Sequence, residues 1–165
     1  MGFFDAYIEE MVQGLSTHLT AHKVNTARAF GPGRQGYPLQ IPLVCVGYRN
    51  IGREISGSGY LGSTADGEIY LQQVRLEIGL DIYVPIPQGG GKCYEIFAWL
   101  GDYFILSGDS RRTGHLTAGQ AEYDESLEAW HMEATLHVNA AASYSQETGE
   151  VFDDFVVFRT GRENK

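Results

Sequence analysis

Between Val74 and Val84 apolar and polar residues alternate without a break. Val74, Leu76, Ile78, Leu80, Ile82 and Val84 fall on one side, and Arg75, Glu77, Gly79, Asp81 and Tyr83 on the other. Side chains of a strand point alternately to its two faces, so this predicts a strand with one face in a core and one toward water or a partner. Pro85 and Pro87 end the run, and Gly89, Gly90 and Gly91 supply a turn. The alternation returns from Trp130: Trp130, Met132, Ala134, Leu136, Val138, Ala140 and Ala142 face one way, His131, Glu133, Thr135, His137 and Asn139 the other. Residues 41–49 and 150–158 are rich in β-branched and aromatic residues and predict two further strands. Residues 119–123 predict a short one, followed by a turn at 124–126.

Two stretches carry helical spacing instead. Phe4, Ile8, Met11, Leu15 and Leu19 recur at intervals of three and four, which predicts a helix over 3–19 with Asp5, Glu9 and Glu10 near its start. Cys93, Ile96, Phe97, Leu100 and Phe104 do the same over 92–106. Residues 20–40 lose all periodicity and read as a long loop. Residues 50–70 are polar and glycine-rich, but Ile51, Ile55, Tyr60 and Leu61 punctuate them, as in a hairpin arm whose apolar positions find a partner subunit. The order of elements predicts an α+β fold: a mixed or antiparallel β-sheet, two α-helices packed on one face, and a long extended β-hairpin arm. A length of 165 residues fits one domain over 1–165.

Composition narrows the function. A formal net charge of −9 repels nucleic-acid phosphates unless basic residues cluster, and the nearest approach to a cluster, Arg111-Arg112, follows Asp109. The two cysteines, Cys45 and Cys93, lie among apolar residues and read as buried free thiols, compatible with a reducing cytoplasm. The acidic N-terminal stretch is unlike a secretory signal, Ala6 departs from the myristoylation pattern, and no apolar run reaches the roughly 20 residues of a membrane span.

Candidate chemistry is sparse. The triple glycine before Lys92 suggests a phosphate loop, but Cys93 stands where that motif needs Ser or Thr. His131, Glu133 and His137 share a strand face, yet the first and last are about 20 Å apart on an extended strand, so only His131 and Glu133 could share an ion. His18 and His22 have ligand spacing without an accompanying Glu and read as a solvated helix end. Ser107, Ser110 and His115 lack a nucleophile elbow. The acids Glu122, Asp124, Glu125 and Glu128 surround a turn, where carboxylates are ordinarily solvated. This reading expects no enzyme, metal or cofactor.

The segment IYLQQVRLEIGLDIYVPIPQGGGKCYEIFAWLGDYFIL followed by AGQAEYDESLEAWHMEATLHVNAAA carries a family resemblance. A regular strand leaves through Tyr83-Val84-Pro85, a helix starts at Gly91-Lys92-Cys93, and a turn with Gly119, Tyr123, Asp124, Leu127 and Ala129 leads into a long strand. This arrangement, over about residues 69–142, resembles the tail terminator (minor tail) proteins of tailed phages and contractile phage-like particles. The resemblance implies a hexameric ring that stops the tail tube at its head-proximal end, in a virion assembled in the host cytoplasm. The implied partners are further copies of the chain, the tail tube protein, the sheath protein in contractile tails, and a neck or head-completion protein; DNA passes through without specific binding. It also implies that the arm (Ile51, Ile55, Tyr60, Leu61) makes inter-subunit contacts. Arg75, Glu77, Asp81, Tyr83, His131, Glu133 and His137 are expected on a subunit-facing sheet surface, and Glu122, Asp124 and Glu125 are candidates for lumen acids. A head–tail connector is the near alternative. A small metal- or ligand-binding domain using the His131–Glu133 face would instead bind zinc in a His131-dependent way, and a peptide adaptor would stay monomeric.

Overall fold

The computed structural model describes residues 3–29, 39–53, 59–64, 67–106, 114–145 and 154–156, with side chains described for 4–29, 39–52, 73–106 and 114–140. The order is α1 (Phe3–Thr20), β1 (Asn25–Arg28), β2 (Leu43–Arg53), β3 (Gly59–Thr64), β4 (Gly67–Pro85), a short 3-10 turn, α2 (Gly91–Leu106), β5 (His115–Ala118), β6 (Glu122–Asp124), β7 (Ala129–Met132), β8 (Ala134–Ser145) and β9 (Asp154–Val156). The fold is α+β, with two helices and one mixed sheet among the described residues.

The alternating strand is the axis of that sheet. β4 pairs antiparallel with β2 along one edge and β3 along the same edge further back; β8 and β7 line its other edge in succession. β1 lies outside β2, parallel to it. β5 and β9 lie outside β8, and β6 outside β7. The residues expected to face the core do so: Val74, Leu76, Ile78, Leu80, Ile82 and Val84 are all buried. Each buried aliphatic side chain contributes about 1.5–3 kcal/mol relative to exposure.

Both helices cover this face. Tyr7, Ile8, Met11, Leu15 and Leu19 of α1, and Cys93, Ile96, Leu100, Tyr103 and Phe104 of α2, join the strand residues in one core. The helices also meet each other. The His18 imidazole sits 3.2 Å from the Trp99 carbonyl, and His22 stacks on the Trp99 ring at 4.0 Å. His18 is therefore part of a helix–helix seam, while His22, just past the helix end, stays exposed as expected and lays its ring on Trp99.

The structure corrects several boundaries. The 20–40 loop contains β1, whose sequence Asn-Thr-Ala-Arg has no alternation to reveal it. The helix stops just before it, with Lys23 at φ 58 and the Val24 amide donating back to the Leu19 carbonyl at 3.2 Å. That is a Schellman closure built on Lys where Gly is the usual occupant. The expected strand at 119–123 resolves into β5 before it and β6 at its end. The long C-terminal strand is interrupted at Glu133 and becomes β7 and β8.

The arm differs from the expectation in a more instructive way. Ile51 belongs to β2 and pairs with Leu76, so it is part of the sheet body. Tyr60 lies in β3 opposite Tyr70, and the register slips at Leu61; Ile55 lies outside the described residues. β4 begins at Gly67, and its first half pairs with β3 on one side and with the end of β8 on the other. The extension is thus a multistranded continuation of the sheet, more than an isolated hairpin. A strand of 19 residues spans about 60 Å, whereas helices of 18 and 16 residues span about 27 and 24 Å. The helices lack the length to cover the whole strand.

Candidate functional site

The sheet face turned away from the helices carries the polar members of the alternation. Direct cross-strand partners share a face, so the register assembles it row by row. Tyr83 lies beside His131 and then Glu122; Gly79 beside Thr135 and Thr117; Glu77 beside His137 and His115; Arg75 beside Asn139. On the other side of β4, Cys45 pairs with Asp81 and Gly47 with Gly79. All seven residues expected on one polar surface, Arg75, Glu77, Asp81, Tyr83, His131, Glu133 and His137, fall in or beside these rows.

Their organising residue is one the sequence reading missed. Arg49 sits where the β2–β4 register slips, between Tyr48 and Asn50. Such an irregularity re-aims a side chain, and the Arg49 guanidinium reaches across β4 to pair with the Asp81 carboxylate. It also lies 3.3 Å from the Glu133 carboxylate and 3.4 Å from the Ala134 carbonyl. The break between β7 and β8 is where these last two acceptors lie.

Gly79 gives Arg49 its seat. A Cβ at that position would stand 2.9 Å from Arg49 Nε and 3.2 Å from its Cγ. The glycine in the polar series of the alternation is therefore a space through which an arginine crosses the sheet. Signals for this were present in the sequence, but only as an isolated Arg and an isolated Gly separated by thirty residues.

Around this pair the electrostatics are crowded. His131 stacks on Tyr83 with ring centroids 4.6 Å apart, and its Nε2 is buried 3.7 Å from Asp81 Oδ1. Burial raises the Asp81 pKa above the ordinary carboxylate range; Arg49 and His131 act in the opposite direction. Cys45 is half-buried on this same face, so the expectation of a core thiol there is corrected, while Cys93 is buried as expected. Burial and the Asp81 charge push the Cys45 thiol up, and burial takes Cys93 to about 11. Both cysteines are protonated at neutral pH and poor nucleophiles.

A second group lies further along the sheet. His137 Nδ1 is 3.9 Å from Glu77, its Nε2 is 3.5 Å from Thr117 Oγ1, and its ring lies 6.1 Å from that of His115. Among the described residues, no group of three or more His, Cys, Asp or Glu is arranged to hold a metal ion. His131 and Glu133 are engaged with Tyr83, Asp81 and Arg49.

The acidic turn separates into distinct roles. Asp124 accepts from the Ser126 amide at 2.9 Å, the Ser126 hydroxyl at 2.6 Å and the Leu127 amide at 3.2 Å. Those bonds, the hydroxyl first, hold its carboxyl below the usual range. Asp124 is thus a turn-forming residue; Glu122 and Glu125 are exposed. At the start of α2, Lys92 pairs with Glu95 at 2.7 Å and lies 4.6 Å from the centre of the Trp99 ring. Its ammonium is engaged by residues of its own helix.

No family model matches the chain, and no curated protein is significantly similar to it. No helix among the described residues is long and apolar enough to cross a membrane.

Proposed function

We propose that this chain is a structural ring protein of a phage or phage-like tail, closing the tail tube at its head-proximal end and joining it to the neck. The observation that carries the reading is the mismatch between the sheet and its helices. The central strand is about 60 Å long, while α1 and α2 are each under about 30 Å and, among the described side chains, share one core with Val74–Val84. A sheet that outgrows its own helix layer leaves edges and a face for neighbouring subunits. The polar face is compatible with the same reading, because among the described residues its charges are paired mainly with one another around Arg49. The resemblance over residues 69–142 supplies the particular role.

The test replaces residues 54–73 with Asn-Gly. Arg53 and Val74 are directly paired, so a two-residue turn joins them in a short hairpin and removes the extension while keeping the core strands. The shortened protein is expected to remain folded, with cooperative thermal unfolding, and to lose both ring formation and capping of tail-tube ends in negative-stain images. Rings or capped tubes from the shortened protein would refute the part assigned to the extension. Wild-type protein that stays a single small particle, alone and with tube, would refute the ring reading itself.

A further inference from the structure

One row of the polar sheet face stands apart from the Arg49 network. Glu77 of β4, His137 of β8 and His115 of β5 are successive cross-strand partners. Partners on adjacent antiparallel strands hold their Cβ atoms about 4.5–5.5 Å apart. The approach to β8 is close because Gly114 precedes β5: a Cβ there would stand 2.6 Å from the His137 carbonyl oxygen. Both imidazoles are exposed, and their ring centroids lie 6.1 Å apart.

The two nitrogens of His137 face different groups. Nδ1 lies 3.9 Å from the Glu77 carboxylate, and Nε2 lies 3.5 Å from Thr117 Oγ1 on β5, the strand that carries His115. A carboxylate attracts the ring proton to the nitrogen beside it, so Glu77 favours the tautomer protonated at Nδ1. That leaves the Nε2 lone pair on the side of β5. The other three histidines of the chain are engaged differently. His18 Nε2 is 3.2 Å from the Trp99 carbonyl, the His22 ring lies flat on Trp99, and His131 Nε2 is buried beside Asp81.

We propose that His115 and His137 form a binding site for a divalent transition-metal ion. The ion sits between His137 Nε2 and a ring nitrogen of His115, with Glu77 as the positioning residue behind His137. Imidazole ligands suit copper, nickel and zinc ions, of which copper(II) binds most tightly. A carboxylate behind a ligating imidazole fixes the ring and raises its basicity. Rings 6.1 Å apart close onto one ion by small side-chain rotations, which exposed positions allow. Two protein ligands are fewer than a structural zinc site uses, and no group of three or more is so arranged among the described residues. Water therefore completes the shell, and the ion exchanges readily. The site is independent of the ring reading, and the failure of one leaves the other standing.

NMR of the histidine rings in the full chain, titrated with copper(II) chloride, tests it. Substoichiometric copper(II) is expected to broaden the signals of His115 and His137 before those of His18, His22 and His131. In calorimetry, His115→Gln and His137→Gln are each expected to remove saturable binding, and His22→Gln to leave it unchanged. Glu77→Gln is expected to weaken binding about tenfold and, in the metal-free protein, to move the His137 ring-nitrogen shifts toward the tautomer protonated at Nε2. Earlier broadening at any other histidine, or wild-type affinity in His115→Gln, would overturn the site. Unmoved His137 nitrogen shifts in Glu77→Gln would overturn the role of Glu77. All the substituted positions are at least partly exposed, and the wild-type titration decides the site without any variant.

Discussion

The two faces of the same strand follow different rules. On the helix side of β4, Leu76, Ile78, Leu80, Ile82 and Val84 are interchangeable in kind: each is buried, apolar and held by shape. On the other side no two residues have the same task. Gly79 is a space, Asp81 an acceptor, Tyr83 a stacking surface and Arg75 a solvated charge. Apolar burial is non-directional and tolerates variation of detail, whereas a half-buried charge is tolerated only with a partner at hydrogen-bonding distance. The first face makes the domain fold, and the second arranges its charges in specific pairs.

The comparison breaks most easily at its apolar side. Leu80→Asp places a carboxyl at a fully buried position of the central strand and is expected to cost at least about 4 kcal/mol. Chemical denaturation or the simple absence of a cooperative transition would register it. A stable, soluble Leu80→Asp protein would mean that the two faces have been assigned the wrong way round.

The polar side is expected to respond less and in a coupled manner. Arg49→Ala leaves the Asp81 carboxylate half-buried without its main partner, at a cost of roughly 1–2 kcal/mol. Gly79→Ala forces Arg49 out of its seat and is expected to cost about 1 kcal/mol. In the double variant the clash is absent, so the second substitution adds little or nothing to the first. Strict additivity in a denaturation cycle would show that Gly79 does not serve Arg49.

The smallest effects concern pH, and the two aspartates have opposite signs. Asp81 titrates above its unfolded range because of burial. Between its unfolded and folded pKa the native state holds more protons, so this residue's contribution to stability falls as pH rises through that window. Asp124 titrates below the ordinary range; its contribution is present above the unfolded pKa and disappears as pH falls through the folded one. Carboxyl NMR should place the Asp81 midpoint above that of Asp124, and Arg49→Ala should move Asp81 further upward while leaving Asp124 in place. An unmoved Asp81 would mean that Arg49 does not act on it electrostatically.

Much of this architecture was legible before any coordinates. The inward series Val74–Val84, the stripe of α1 and that of α2 each announce a buried face through a local period. Side-chain direction repeats every two residues in a strand and about every 3.6 in a helix. The same periodicity put Asp81, Tyr83, His131 and Glu133 on a polar surface. It did not bring in Arg49, whose orientation comes from an irregularity in strand pairing, nor β1, whose four residues become a strand because β2 is there to pair with. It also misplaced Cys45, which sits in an apolar run but shares the face of Asp81.

By itself, then, the sequence determined which residues turn inward, where the helices run and that the surface is acidic, because those properties repeat within a few positions along the chain. The tertiary structure alone decided that an arginine crosses at a glycine thirty residues away, that His18 and His22 meet Trp99 of α2, and that Cys45 shares a face with Asp81. Each depends on groups far apart in sequence arriving within a few ångströms, and no local period records where the chain returns.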